Sequence, residues 1–234
     1  MRRYFHSELE NIKSRLVLMG ERAIEAVDLS MKALVEQEME FAEQALQLDD
    51  AIDDLEIEID REAVRYITLR APVASDLRLL TVAIKTSHDL ERVGDEATSI
   101  AKRTLRIQKA GAFKDFLGIP RMHELMLGML RDALDCLVEE DSERALDICR
   151  RDREVDALNK QHHREYAERM RTDPDHIGAM MELIFISKSV ERVADHATNI
   201  AEEVLYLLSG QTAKEQGVNK ASLAPPVDPD ARAE

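Results

Sequence analysis

Eleven residues of this chain occur twice, a hundred positions apart: Glu91-Arg-Val-Gly-Asp-Glu-Ala-Thr-Ser-Ile-Ala101 and Glu191-Arg-Val-Ala-Asp-His-Ala-Thr-Asn-Ile-Ala201 agree at eight of eleven columns. The chain is therefore a tandem repeat, and its fold is expected to be two similar units in contact. Each copy carries an acidic pair four residues apart, Glu91 with Asp95 and Glu191 with Asp195. On a helix that spacing stacks two carboxylates on one face.

With 234 residues there is room for two units of ordinary size. Charged residues make up 34% and aromatics only 4%, with no Trp, eight Gly and six Pro, a profile of long helices in bundles rather than strands. A formal net charge of −15 argues against nucleic-acid binding, which needs a basic face, and suits cations and basic partners. No apolar run approaches the roughly 20 residues of a membrane span. The start, Met1-Arg-Arg-Tyr-Phe-His-Ser-Glu8, lacks the apolar core of a signal peptide. A cytoplasmic protein is expected, peripheral to a membrane only through partners. Cys136 and Cys149 have no CxxC spacing and no counterpart in the first half, so reduced, packed thiols are expected.

The apolar periodicity divides the chain into six helices. Phe5, Leu9, Ile12, Leu16, Met19, Ala23, Ala26 and Ser30 alternate steps of four and three, as a bundle seam requires. A second seam, Ala45, Leu48, Ile52, Leu55 and Ile59, ends near Arg70, because Pro72 disfavours helical geometry at the residue before it. Ser75 or Asp76 is expected to cap a third helix, with Leu79, Val82, Leu90, Val93, Ala97 and Ile100 on one stripe. Gly111, Gly118 and Pro120 mark a connector. The second half repeats the plan: Met122, Met126, Met129, Ala133 and Cys136 on a fourth helix, Ile148, Val155, Leu158 and His162 on a fifth, and a sixth starting at Asp173-Pro-Asp175. The expected architecture is all-α, two tandem three-helix bundles over residues 1–110 and 119–209. The stretch 210–234 is rich in Ala, Pro and charge without a period, and is expected to be disordered.

Register brings a second set of carboxylates to the motif. Two antiparallel helices joined by a short loop match positions whose numbers add to a constant. A turn near residues 72 and 73 makes that constant about 145, so Asp53 lies level with Glu91 or Arg92 and Asp49 with Asp95 or Glu96. In the second half a turn near 173 and 174 makes it about 347, which sets Asp156 level with Glu191 and Asp152 with Asp195. Around the motif helix, at about 100° per residue, Asp95 and Thr98 lie close to Glu91 while Val93, Ala97 and Ile100 lie on the far side. The same holds for Glu191, Asp195 and Thr198, so each acidic face is expected to be a shallow exposed patch turned away from the core. Carboxylates gathered at one height repel unless a cation, an Arg or protonation intervenes. A hard, oxygen-preferring ion such as Mg²⁺, Mn²⁺, Ca²⁺ or Fe³⁺ suits them. The same spacing also fits solvated acidic faces neutralised by Arg92 and Arg192.

The histidines read as weaker candidates. His88 lies about 60° from Glu91 but its counterpart is Lys188, so it reads as a surface residue. His196, which replaces Glu96, points well away from Glu191 and reads as structural or exposed. His162 and His163 diverge around the helix and read as a surface pair rather than a metal clip. The methionines of the fourth helix follow the core period. No Glu is followed by His three residues later, and the chain lacks GxxxxGK, HExxH and GxSxG patterns, so catalysis has no visible home.

At Asp76-Leu-Arg-Leu-Leu80, Glu91-Arg-Val-Gly-Asp95 and Glu191-Arg-Val-Ala-Asp195 the chain resembles the PhoU family of phosphate-uptake regulators, over roughly residues 5 to 208. The resemblance implies two three-helix bundles side by side, with Glu91, Asp95, Glu191 and Asp195 as ligands of surface metal ions or clusters. Asp49, Asp53, Asp152 and Asp156 fit the family's DxxxD pattern on the neighbouring helices. The metal is left open among Fe, Mn, Mg, Zn and Ca. As function, the resemblance implies a non-enzymatic cytoplasmic adaptor, expected to be a homodimer. It would join the ATPase subunit of a high-affinity phosphate ABC transporter to a sensor histidine kinase and restrain both when phosphate is plentiful. The alternative is a metal-dependent helical-bundle enzyme, a phosphohydrolase or ferroxidase. Gly94 against Ala194 keeps a small residue in both copies, whereas Glu96 against His196 leads one to expect chemically unequal metal sites.

Overall fold

The computed structural model describes residues 2–111 and 113–216, with side chains from Ser7 onward. Among the described residues there are six α-helices and no strand: α1 (Arg2–Glu36), α2 (Met39–Arg70), α3 (Ala74–Ala110), α4 (Ile119–Glu139), α5 (Ser142–Thr172) and α6 (Ile177–Ser209). A single 3₁₀ turn, Pro174–His176, leads into α6.

The helix ends follow from local chemistry. α2 stops at Arg70 because Ala71 turns left-handed at φ 45° ahead of Pro72, and its N–H closes on the Ile67 carbonyl at 3.2 Å. α3 then begins earlier than the expected Ser75 or Asp76 cap: Val73 occupies the N-cap position with no side-chain bond. Asp76 instead sits inside the first turn, where a carboxylate complements the exposed amide dipoles. α5 does have a side-chain cap, since Asp141 accepts hydrogen bonds from the Glu143 and Arg144 amides at 3.0 and 3.1 Å. α4 is the short member, 21 residues against 31 or more for the other helices.

Short turns make consecutive helices antiparallel neighbours. α1, α2 and α3 pack on one another, as do α4, α5 and α6, while α3 against α6 and α1 against α4 join the two triplets. A continuous apolar core runs through both halves. In α1, Leu9, Ile12, Leu16, Met19, Ala23, Ala26 and Ser30 are all buried, and the Ser30 hydroxyl is satisfied by donating to Val27 O at 2.8 Å. In α2, Ala45, Ile52 and Ile59 are buried, whereas Leu48 and Leu55 pack at the edge. Cys136 and Cys149 are buried free thiols, and burial pushes Cys136 up to about 12.

The joint between the halves is the α3–α6 seam. Its apolar stripe, Leu90, Val93, Ala97 and Ile100 with Val190, Val193, Ala197 and Ile200, is fully buried. Polar pairs flank it along most of its length: Lys85–Glu203 at 2.8 Å, Asp89–His196 at 2.8 Å, Glu96–Arg192 at 3.0 Å and Arg103–Glu182 at 2.7 Å. As the α3 partner moves towards the C-terminus the α6 partner moves towards the N-terminus, so the two motif helices run antiparallel.

Two expectations need correcting. His162 is not on the surface: it is 2% exposed, with Nδ1 3.0 Å from Ser187 Oγ, while His163 is exposed as expected. The tail is also shorter than residues 210–234. Gly210 ends α6 in the left-handed region, Thr212 and Glu215 bond to one another, and Ala213 is buried. Residues 217–234, the rest of the segment expected to be disordered, lie outside the described residues.

Burial depresses both His123 and His162 below the ordinary histidine value, with Asp28 opposing the shift at His123. In both cases the unfolded chain takes up the proton first as pH falls. Their contribution to stability is therefore present above about pH 6.5 and lost as pH falls below it. Urea denaturation at pH 7.5 and 5.5 should show lower stability at the acidic value, and His162→Gln should reduce that difference. An unchanged pH dependence in the variant would mean that His162 binds its proton equally well in the folded and the unfolded chain. Packing makes a second prediction at Gly94, where an added Cβ would lie 3.1 Å from Ile52 Cδ1. Gly94→Val should cost about 1–3 kcal/mol by overpacking the α2–α3 contact. Thermal unfolding at neutral pH checks it, and a neutral result would show that α2 and α3 do not approach closely there.

Candidate metal centre

Each motif helix divides its circumference among its neighbours. Glu91, Gly94 and Asp95 sit on the flank of α3 that faces α2, where the absent side chain at Gly94 lets the α2 backbone come close. An added Cβ there would also meet Asp49 Oδ1 at 3.5 Å. In the second copy Ala194 is fully buried, so both copies keep a small side chain inside the packing.

The first half brings the expected carboxylates together. Asp53 is raised above the ordinary carboxylate range by lost hydration and then by repulsion from Asp49, Asp95, Glu56 and Asp50. Glu91 is raised by burial first and then by Asp95 and Glu56, with Arg92 and His88 opposing. Asp53 thus feels Asp95 across the α2–α3 contact, Asp49 lies against Gly94, and the α2 carboxylate nearest Glu91 is Glu56 rather than Asp53. Arg92 answers part of that charge, with nitrogens 3.2 Å from Glu91 and 3.0 Å from Asp95. Glu91 Oε2 is closed to solvent, and its ion-pair partner is Arg92 Nε at 3.2 Å, without hydrogen-bond geometry. Oxygen donors in this arrangement fit a cation in place of the guanidinium.

The second half repeats the register at greater depth. Ser187 Oγ lies 3.0 Å from both Asn159 Oδ1 and His162 Nδ1, which fixes α5 against α6. The same register carries Asp156 to the height of Glu191 and Asp152 to that of Asp195. Asp152 is fully buried, and Asp156, Glu191 and Asp195 are half-buried. The expectation of a shallow exposed patch therefore fails here. Thr98 and Thr198 correct the same expectation, being 7% and 6% exposed. They differ in partner: Thr198 donates to Ala194 O at 3.1 Å, while Thr98 Oγ1 has no hydrogen-bond partner.

The cations differ from the expected ones as well. Arg192 leaves its own patch and crosses the seam to Glu96, and Lys188 instead contacts Glu191. Glu96 bears on the second patch by drawing Arg192 away from it. Glu96 takes Arg192 and His196 Nδ1 takes Asp89, so both residues serve the α3–α6 seam.

Sequence reasoning missed Glu56. It lies on α2 one turn beyond Asp53, half-buried, with Oε1 3.2 Å from His88 Nδ1, and Glu91 completes a group whose donor atoms all lie within 4.8 Å of one another. The signal was in the register, which sets position 56 opposite 88 and 89, but Glu56 belongs to no acidic pair that repeats between the halves.

A family model described as the PhoU domain matches residues 16–104 and 119–204, one copy in each half. Among curated proteins, a phosphate-specific transport system accessory protein PhoU homolog of Pseudomonas putida is 36% identical over 92% of this chain and 85% of its own length. The homolog of the same name from Aquifex aeolicus is 36% identical over 91% of this chain and 96% of its own. Of the solved structures, PhoU from Pseudomonas aeruginosa superposes with a TM-score of 0.86 at 36% identity, covering 88% of this chain and all of that one. The phosphate transport system regulatory protein PhoU from Streptococcus pneumoniae gives 0.82 at 27% identity, covering 89% and 98%. A shared duplication, a shared fold and more than a third identity along nine-tenths of the chain place this protein in the PhoU family.

Proposed function

We propose that this chain is a non-enzymatic accessory regulator of phosphate transport. In this reading it is a cytoplasmic adaptor between a high-affinity phosphate ABC transporter ATPase and a sensor histidine kinase, restraining uptake and the starvation response when phosphate is plentiful. The observation that carries the reading is the match of both halves to a family whose members are named as accessory and regulatory proteins of phosphate transport. No helix among the described residues is long and apolar enough to cross a membrane, which suits a protein that meets a transporter through docking. The net charge of −15 favours basic surfaces on its partners. A homodimer is part of the proposal.

The carboxylate flanks are the second part. Asp49, Asp53, Glu91 and Asp95 in the first half, and Asp152, Asp156, Glu191 and Asp195 in the second, would hold metal ions from among Fe, Mn, Mg, Zn and Ca. A bound ion supplies positive charge where these carboxylates otherwise repel. On each flank it would tie the motif helix to its neighbour and so hold a docking surface in one shape.

Deleting the gene should raise phosphate uptake and starvation-gene expression in cells grown with ample phosphate; normal repression in such a strain would refute the regulatory reading. For the metal, elemental analysis of protein purified without chelator should show bound ions. Glu91→Ala with Asp95→Ala should remove about half of them if each half holds an equal share, and adding the equivalent pair in the second half should remove the rest. Undiminished metal in the fourfold variant would sink this part. Because Asp53 titrates above the ordinary range in the fold, its ionisation opposes folding as pH rises. Asp53→Asn should therefore raise the melting temperature of chelator-treated protein at pH 7 while weakening stabilisation by added metal. A lower melting temperature would mean that Asp53 is not under repulsion.

A further inference from the structure

We propose that Glu56, His88 and Glu91 form a transition-metal site of their own in the first half, and that the second half has lost the equivalent. This goes beyond the carboxylate reading above, with which it shares only Glu91.

His88 and Glu91 are three residues apart on α3 and so project together, and α2 brings Glu56 across to meet them. His88 Nδ1 and Glu56 Oε1 are 3.2 Å apart, and one donor atom of each residue lies within 4.8 Å of the others. Two donors bound at about 2.1 Å to a tetrahedral ion sit roughly 3.4 Å apart, so the His88–Glu56 spacing already matches. An imidazole with two carboxylates selects a borderline ion such as Zn²⁺ or Fe²⁺ over Mg²⁺ or Ca²⁺, which prefer oxygen alone. The His88 side chain is 58% exposed, so an ion has a route in, and three protein donors leave a coordination position for one external ligand. Arg92 touches Glu91 at 3.2 Å, but its side chain is 49% exposed and can turn into solvent as an ion takes its place on the carboxylate.

The repeat supplies the comparison. The buried positions Ala42, Ala45, Ile52, Ile59 and Ala63 of α2 correspond to Ala145, Ile148, Val155, His162 and Tyr166 of α5, each 103 residues on. By that alignment Asn159 stands where Glu56 does, and by the motif alignment Lys188 stands where His88 does. Asn159 is buried and accepts a hydrogen bond from Ser187 Oγ at 3.0 Å, and the Lys188 ammonium sits on Glu191. The second copy thus replaces one donor by a neutral amide engaged in the core and another by a cation that occupies the third. It is a closed version of the site, neutralised from within.

The test is calorimetric titration of the full chain with Zn²⁺, and with Co²⁺ while following its visible absorption. Wild type should bind one Zn²⁺ tightly with a tetrahedral Co²⁺ spectrum. Glu56→Asn and His88→Lys, which install the residues of the second half, should each weaken that binding at least tenfold and remove the spectrum. His88→Gln, which brings no charge, should do the same, and circular dichroism should show all three folded. No Zn²⁺ uptake by wild type, or unchanged affinity in the His88 variants, overturns the proposal. Asp95→Asn separates it from the carboxylate reading. Tight Zn²⁺ binding lost with Asp95→Asn but kept in His88→Gln would place the ion at the motif and overturn this site alone. If Asp49→Asn, Asp53→Asn and Asp95→Asn together left the His88-dependent Zn²⁺ in place, this site would stand independently of the first-half carboxylate motifs.

Discussion

The pairing of α3 with α6 constrains the rest of the structure. Both motif helices commit one stripe to a common core, and each fully buried Val, Leu or Ile in it contributes about 1.5–3 kcal/mol. The ion pairs along the seam contribute up to about 1 kcal/mol apiece when partly exposed. Burial therefore decides how each motif helix is rotated, and the charges at Asp89, Glu96, Arg192 and His196 refine the alignment. With that stripe committed and one flank given to the seam, the remaining flank, with Glu91 and Asp95 or Glu191 and Asp195, must face α2 or α5. The site is a consequence of the joint.

Register was legible in the sequence because covalent features set it: the Ala71-Pro72 turn and the Asp173-Pro174 turn fix which heights of consecutive helices match. Rotation was less legible. A narrow apolar stripe such as Leu90, Val93, Ala97 and Ile100 identifies the main core face, but α3 packs against α1, α2 and α6 and buries much more of its circumference. Thr98 and Gly94 are buried for that reason although they lie near the acidic side. The same limit explains His162, which follows the core period of α5 and was read through its neighbour His163 instead. Glu56 escaped for a different reason. A set of donors contributed by two helices has no spacing of its own, and His88 considered alone looks like any exposed histidine.

Duplication normally preserves what both copies need, so the positions where the halves disagree carry information that the shared motif does not. Ile59 against His162, Glu56 against Asn159 and His88 against Lys188 lie on or against one stretch of the α2 and α5 helices. In the second half they form a buried polar group, His162 and Asn159 on Ser187, with a lysine covering Glu191. In the first half the same stretch is apolar at Ile59 and open and anionic at Glu56 and Glu91. One copy has put its polarity into the core and set a lysine on its glutamate, whereas the other keeps its charge nearer the surface, with His88 and Arg92 as partners.

That difference bears on how a cation would act on the molecule. Arg92 already meets Glu91 and Asp95 on the first flank, yet repulsion among the carboxylates still raises Asp53 and Glu91, so positive charge gained there relieves that repulsion. The response is felt between α2 and α3. Because α3 is also half of the seam, any shift of α3 relative to α2 must be absorbed either within the first bundle or at the α3–α6 joint. The tight approach at Gly94 and the buried stripe both resist such a shift, so ion binding would act by stiffening an existing arrangement rather than by opening a new one.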